Sequence, residues 1–319
     1  IELAHFATLH LRHRPGTDVA VLNAIAHVII RDKLEDFQFI DERTEGFEAF
    51  AAAVEDWTPE RAESVSGVPA QDIVDAAYLY AHARRAMIFW AMGITQHTTG
   101  TDNVKACSNL ALLTGHIGRP STGLNPLRGQ NNVQGACDMG GLPNVFPGYQ
   151  PVADETARGK FAAAWGVPFE TFGAKPGLTV TEMLHGVLEG KIKAIYVMGE
   201  NPMLSDPNLT HVAEALAAVE FLVVQDLFSN ETAQMADVVV PAAGFAEKLG
   251  TFTSTERRVQ KIRPAVPSPG AARADWQIIL DVANRLGAGW QYDGPADIFA
   301  EMATVTPQYA GMSFARLEA

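Results

Sequence analysis

Asn125-Pro126-Leu127-Arg128-Gly129-Gln130-Asn131-Asn132-Val133-Gln134-Gly135-Ala136-Cys137-Asp138-Met139-Gly140 is the stretch on which the reading of this chain turns. It lies inside a longer segment, residues 114–149, with glycines at 115, 118, 123, 129, 135, 140, 141 and 148 and prolines at 120, 126, 143 and 147. That segment has almost no apolar periodicity, so a long irregular loop is expected. Loops of this length are functional or disordered. Disorder is disfavoured, because the segment is neither a charged nor a repetitive tract and lies between strongly patterned blocks. A tightly turning backbone brings main-chain N–H groups close to a ligand. Within it, Arg128-Gly129-Gln130-Asn131-Asn132 sets a permanent cation beside a run of carboxamides, a donor set suited to a small anion or an oxygen- and nitrogen-rich cofactor. The alternative is a structural Ω-loop whose polar side chains cap their own backbone.

Composition narrows the class. The chain has 319 residues, 47% apolar and 19% charged, enough for two domains with substantial cores. A formal net charge of −13 argues against nucleic acid and anionic membrane surfaces as partners. No apolar run reaches membrane-spanning length and no signal-peptide pattern stands at the start, so a soluble, cytoplasmic chain without membrane insertion is expected. Cys107 and Cys137 form no CxxC pair and fit a reducing compartment. An iron–sulfur cluster, usually held by four cysteines, is not expected on this chain alone. The first residue, Ile1, starts as if inside an element, and the chain reads as an internal excerpt of a longer subunit.

Along the chain, residues 5–12 alternate loosely like a short strand. Arg14-Pro15-Gly16-Thr17-Asp18 forms a turn, with Thr17 or Asp18 capping a helix whose apolar residues recur at three and four up to Ile30. Such a turn is either an anion site or a plain capped helix. Thr58-Pro59 and Val68-Pro69 open two packing helices. Residues 86–91 form a continuous apolar run, read as a buried parallel strand. Its end delivers Met92, Gly93 and Gln96, where ligands of parallel sheets bind, although a solvated loop is the other reading. His97 is read as polar surface. A second block repeats the logic: a strand at 193–198 leading to Gly199, Asn201 and Ser205, a helix at 208–219, a strand at 221–224 ending in Gln225 and Asp226, and a strand at 236–243 that includes Ala242. Three parallel strands with polar tips make a nucleotide-binding half, and the absence of GxGxxG counts against an ordinary NAD domain. Asp275 is read as the N-cap of a helix running to about Leu286.

The stretch from Asn125 to Gly140 closely resembles the loop of the molybdopterin-dependent formate dehydrogenases, large subunit, of the DMSO reductase superfamily. The likeness extends collinearly through Gly199-Glu200-Asn201-Pro202, Gln225-Asp226-Leu227-Phe228, the strand at 236–241 and residues 247–260. It implies an α/β fold of two Rossmann-like domains with mainly parallel sheets, each binding one pterin guanine dinucleotide of a bis-molybdopterin guanine dinucleotide cofactor carrying Mo or W. Residues 1–130 would be the C-terminal part of the first such domain and 131–245 the second. Residues 246–319 would pack on the second domain and on an iron–sulfur domain outside this chain. Gly16, Thr17, Asp18, Met92, Gly93, Gln96, Arg128, Gln130, Gly199, Asn201, Ser205, Gln225, Asp226, Ala242 and Asp275 become candidate cofactor residues.

The resemblance further implies oxidation of formate to CO2, with electrons leaving through a 4Fe–4S cluster in the missing N-terminal domain. Electron-transfer partners would be Fe–S/flavin subunits linked to NAD, ferredoxin or hydrogenase. Arg128 is the candidate catalytic residue, docking formate and orienting its C–H. The metal's Cys or Sec ligand, followed by His, is expected outside this chain. Cys137 is set aside because Asp138 follows it. Two alternatives stand beside this reading: another reductase of the superfamily, for nitrate or an N-oxide, and a non-catalytic structural homologue in a respiratory dehydrogenase.

Overall fold

The computed structural model describes residues 2–318 and divides into two compact units, one ending at Gly129 and the other starting at Gln130. In the first, helix α1 (Asp18–Arg31) is the spine. Val21, Ala24, Ile25, Val28 and Ile29 follow the three-and-four spacing of one helical face and are all buried. That face meets Ile40 of α2 (Phe37–Arg43), Val54 of α3 (Phe47–Val54), Ala62 of α4 (Pro59–Ser66) and Ile73 and Ala77 of α5 (Ala70–Ala81). The start of α4 is set as its sequence dictates: Thr58 Oγ1 accepts the Arg61 N–H at 3.3 Å, and Pro59 occupies the first turn. Strand β1 (Met87–Trp90) follows, then a helical turn α6 (Met92–Thr95) and the long α7 (Gly100–Leu113), whose Leu110 and Leu113 complete the core.

β1 pairs in parallel with β2 (Gly123–Pro126), Met87 opposite Gly123 and Trp90 opposite Pro126. A strand inside the glycine- and proline-rich segment contradicts the expectation of continuous loop. Its sequence, Gly-Leu-Asn-Pro, has poor strand propensity, and the pairing with β1 overrides it. β1 itself is not buried on both faces, since Phe89 is 58% exposed. The strand expected at 5–12 is absent as well: a 3-10 turn at Glu2–His5 is followed by irregular backbone, and no neighbouring strand completes its hydrogen bonds among the described residues.

The second unit opens with helix α8 (Val133–Asp138), also inside the expected loop, and a hairpin of β3 (Val145–Phe146) and β4 (Gln150–Pro151). Helix α9 (Glu155–Trp165) places Phe161 in full burial, stacked on Phe146 at 4.6 Å between centroids. After α10 (Val180–Leu188) comes a parallel sheet in the order β5 (Ala194–Met198), β6 (Phe221–Asp226), β7 (Val238–Pro241). The β5–β6 crossover carries α11 (Pro202–Ser205) and α12 (Leu209–Ala218); α13 (Glu231–Gln234) lies between β6 and β7. Val197, Leu222 and Val224 pack with Leu184, Val187, Val212 and Leu216 into a second core. The antiparallel pair β8 (Gly250–Thr253) and β9 (Val259–Ile262) follows, then α14 (Asp275–Arg285), α15 (Pro295–Val305), a 3-10 turn at Pro307–Tyr309 and α16 (Phe314–Glu318). The described residues from 246 onward therefore belong to the same unit as the parallel sheet. No helix among the described residues is long and apolar enough to cross a membrane.

Candidate functional site

In the first unit the turn before α1 and the tip of β1 come together. Gly16 adopts φ +81°, a left-handed conformation that glycine takes without strain, and delivers Thr17 and Asp18 to the helix start. Thr17 does not cap the helix, contrary to expectation, because its hydroxyl donates to Arg14 O at 2.6 Å instead. Nor does Asp18 cap it, being the first helical residue. The amides at this helix end are left without a side-chain partner. Asp18 is only 6% exposed; its Oδ1 accepts from His13 Nε2 at 3.0 Å, while Oδ2 is buried with no hydrogen-bond partner. His97 Nε2 lies 4.0 Å from that oxygen and donates to Gly93 O at 2.8 Å. His97, which the sequence reading assigned to plain surface, is thus hydrogen-bonded to Gly93 and stands beside, without bonding, the Asp18 carboxylate. Cys107 is buried nearby; burial, reinforced by the Asp18 charge, pushes its thiol up to about 11.

Met92 and Gln96 are exposed beside Gly93, at the C-terminal tip of β1. Arg128 follows the end of β2, on the same side of the parallel pair, where Leu127 N donates to Trp90 O at 2.7 Å. Its guanidinium is exposed and has no carboxylate within ion-pair distance among the described residues.

In the second unit the tips of β5, β6 and β7 form a hydrogen-bonded set. Gly199, φ +64°, donates its N–H to Gln225 O at 2.9 Å. Gln225 is fully buried; its Oε1 accepts from Tyr196 OH at 2.6 Å and its Nε2 donates to Asp275 Oδ1 at 2.7 Å. Lys248, which lies in the stretch 247–260 of the resemblance but was given no site role there, closes the row through an ion pair to Asp275 Oδ2. Asp275 is the first residue of α14 rather than its N-cap, the cap position falling to Ala274. Asn201 is spent internally as well: its Oδ1 accepts from Thr232 Oγ1 at 2.7 Å and its Nδ2 donates to Glu231 Oε2 at 2.7 Å. Asp226 turns its carboxylate onto Leu227 N at 2.6 Å and Asn230 Nδ2 at 2.9 Å. Ala242 N donates to Asp226 O at 3.0 Å, and Ser205 Oγ donates to Asn201 O at 3.2 Å. Beside Ser205, Asp206 Oδ2 is buried without a partner.

These residues fit a nucleotide-bearing cofactor. Asp18 Oδ2 and Asp206 Oδ2 are buried acceptor oxygens free to take an N–H donor, and nothing lies within 4 Å of where a Cβ would stand at Gly16, Gly93 or Gly199. Among the described residues no three His, Cys, Asp or Glu side chains converge as a metal site. A separate cavity of about 840 Å³ in the second unit, walled by Trp165, Trp276, Trp290, Ile279 and Met302, contains none of the candidate site residues.

Parallel strands with glycine turns and polar tips define an α/β fold, and a family profile makes the class specific. The chain belongs to the molybdopterin oxidoreductase family, whose profile matches residues 2–285. Membership implies a molybdopterin cofactor carrying Mo or W. The chain is 53% identical over 313 residues to the F420-dependent formate dehydrogenase 1 subunit alpha of Methanococcus maripaludis, covering 98% of this chain and 46% of that protein. It is 52% identical to the F420-dependent formate dehydrogenase subunit alpha of Methanocaldococcus jannaschii, with coverages of 97% and 46%. With formate dehydrogenase H of Escherichia coli it shares 42% identity, over 99% of this chain and 44% of that one. The chain thus spans about half the length of the curated relatives it matches. Acetylene hydratase from Pelobacter acetylenicus has a similar fold, with TM-score 0.74 at 19% identity over 99% of this chain and 45% of that structure.

Proposed function

We propose that the polypeptide carrying this chain is the catalytic subunit of a formate dehydrogenase, with Arg128 as the group that docks formate. The observation that carries the reading is the exposed, unpaired Arg128 guanidinium at the tip of the β1–β2 pair, within Arg128-Gly129-Gln130-Asn131-Asn132. Its paired N–H donors match a carboxylate's two oxygens in plane, which fixes the direction of the formate C–H bond. Formate loses an electron pair and a proton to become CO2. A bound metal–pterin group would supply the acceptor for that electron pair, the proton passing to water. Asp18 and Asp206 offer acceptor oxygens to the guanine ends of a bis-guanine-dinucleotide form, and the open backbones at Gly16, Gly93 and Gly199 admit its phosphates. Lys248 and Gln225 hold Asp275 in a single orientation at the second of these ends.

The onward route through an iron–sulfur cluster belongs to the part of the subunit outside this chain. NAD, ferredoxin and hydrogenase are the acceptors implied by the resemblance; relatives at about half identity bear the name F420-dependent, which favours F420 as the final acceptor. The test is made on the complete subunit: Mo and W content together with formate-dependent dye reduction, for the parent and Arg128→Ala. Metal retained with turnover lowered about a hundredfold or more supports the assignment. A folded parent without metal sinks the enzyme reading in favour of a scaffold. Formate-dependent reduction of F420 but not of NAD by the complete enzyme identifies the acceptor.

A further inference from the structure

Asp138, set aside in the sequence only as the residue after Cys137, is the hub of a side-chain network. Its Oδ1 accepts from Gln134 Nε2 at 2.8 Å and its Oδ2 from Tyr309 OH at 2.9 Å, and its main-chain oxygen accepts from Gly148 N at 2.7 Å. With the Tyr309 proton committed to the carboxylate, the hydroxyl of Thr253 donates to Tyr309 at 2.7 Å. Thr253 is buried and is met a second time: its N–H donates to Asn132 Oδ1 at 2.9 Å. Asn132 stands at the N-cap position of α8, yet its side chain makes no cap and goes to β8 instead. Both ends of α8 therefore converge on one buried residue of β8, through Asn132 directly and through Asp138 by way of Tyr309.

The surroundings leave this short helix little slack. A Cβ at Gly135 would run into the Asn132 carboxamide, and one at Gly141 into Ala136 O. Gln134 Nε2 also reaches Tyr149 OH at 3.1 Å, and Tyr149 holds a left-handed φ of +58°, which a non-glycine residue keeps only where neighbours over-determine it. Burial, with the Asp138 carboxylate alongside, pushes the Tyr309 phenol up to about 12, in keeping with a neutral donor facing a charged acceptor.

We propose that Asp138 is a positioning residue of the substrate loop, locking α8 and residues 130–132 against β8 through Tyr309 and Thr253. The proposal rests on the formate reading above, in which Arg128 stands two residues before Gln130. It is tested on the complete subunit with Tyr309→Phe, which deletes a single oxygen, and Asp138→Asn, which keeps the shape and removes the charge. Hydrogen exchange of residues 130–138 is expected to quicken about tenfold, and the formate KM to rise about tenfold with kcat little changed, the factor carried by one lost charge-assisted hydrogen bond. Metal and pterin content are expected to match the parent. Parent-like exchange and KM in both variants, with Arg128→Ala inactive, overturns the positioning role and leaves the formate reading intact. If Arg128→Ala still turns over formate, the reading fails and the positioning role fails with it. Should Asp138→Asn not fold, Tyr309→Phe decides alone.

Discussion

Gln225→Leu isolates the hydrogen-bond row at the tip of β6 at nearly constant side-chain volume. The substitution deletes the acceptor of Tyr196 OH, 2.6 Å away, and the donor to Asp275 Oδ1, 2.7 Å away. A neutral bond contributes about 1 kcal/mol and one to a charged partner about 1.5–3 kcal/mol. Both partners keep access to water, Tyr196 at 43% and Asp275 at 29% exposure, so solvent replaces part of what is lost. Leucine also gains from burial at a site that is wholly enclosed. A net loss of about 2 kcal/mol remains, or about thirtyfold in the local opening equilibrium. Native-state hydrogen exchange at the β6 amides reads this directly. In a cycle with Asp275→Asn, the two substitutions should couple by about 1 kcal/mol, because they share one bond. Protection of β6 changed by less than about threefold, or strictly additive effects, would refute the claim that Gln225 holds Asp275.

Two further outcomes follow from titration. The Glu182 carboxylate accepts from Thr179 N at 2.7 Å and from Thr179 Oγ1 at 2.8 Å, and the backbone bond, then the side-chain bond, lowers its pKa. A carboxyl group lowered in the folded state stabilises above its unfolded pKa of about 4.3 and loses that contribution as pH falls through the lower folded value. Protection factors at the first turn of α10, exchange rates corrected for the intrinsic pH dependence, should therefore fall below about pH 4 and stay flat from there to neutrality; unchanged protection on acidification contradicts the cap. Cys107, buried and pushed up to about 11, should resist alkylation at pH 8 in the folded protein, and mass spectrometry showing prompt modification there would disprove its enclosure.

The regular elements were legible where local pattern decides them. The three-and-four spacing of α1 and the continuous apolar runs of β5 and β6 need no partner to be recognised. β2 and α8 were illegible, because Gly123-Leu124-Asn125-Pro126 and the Gly135-containing turn carry little propensity, and only tertiary pairing makes them a strand and a helix. The continuous run at 86–91 also misled on burial: it reads as a strand covered on both faces, yet Met87 and Phe89 of β1 are more than 40% exposed. Long-range hydrogen bonds such as that from the Thr253 main-chain N–H to Asn132 Oδ1, 121 positions apart, leave no trace in local sequence.

The candidate site was legible in identity and less so in role. A polar residue at the tip of a parallel strand invites assignment as a ligand contact. Hydrogen-bond satisfaction sorts these residues more sharply. The side chains of Asn201, Gln225 and Asp226 have partners inside the fold, so they shape the tips, and what they offer a ligand is main chain. A buried carboxylate oxygen without a partner is costly to maintain, and Asp18 Oδ2 and Asp206 Oδ2 both stand in that condition, each beside a residue the sequence reading named. On the proposed function, the cost would be recovered by an N–H donor of a bound nucleotide at each oxygen. Asp18 and Asp206, more than the fully paired Gln225 and Asp226, are accordingly where recognition of a guanine edge would be concentrated.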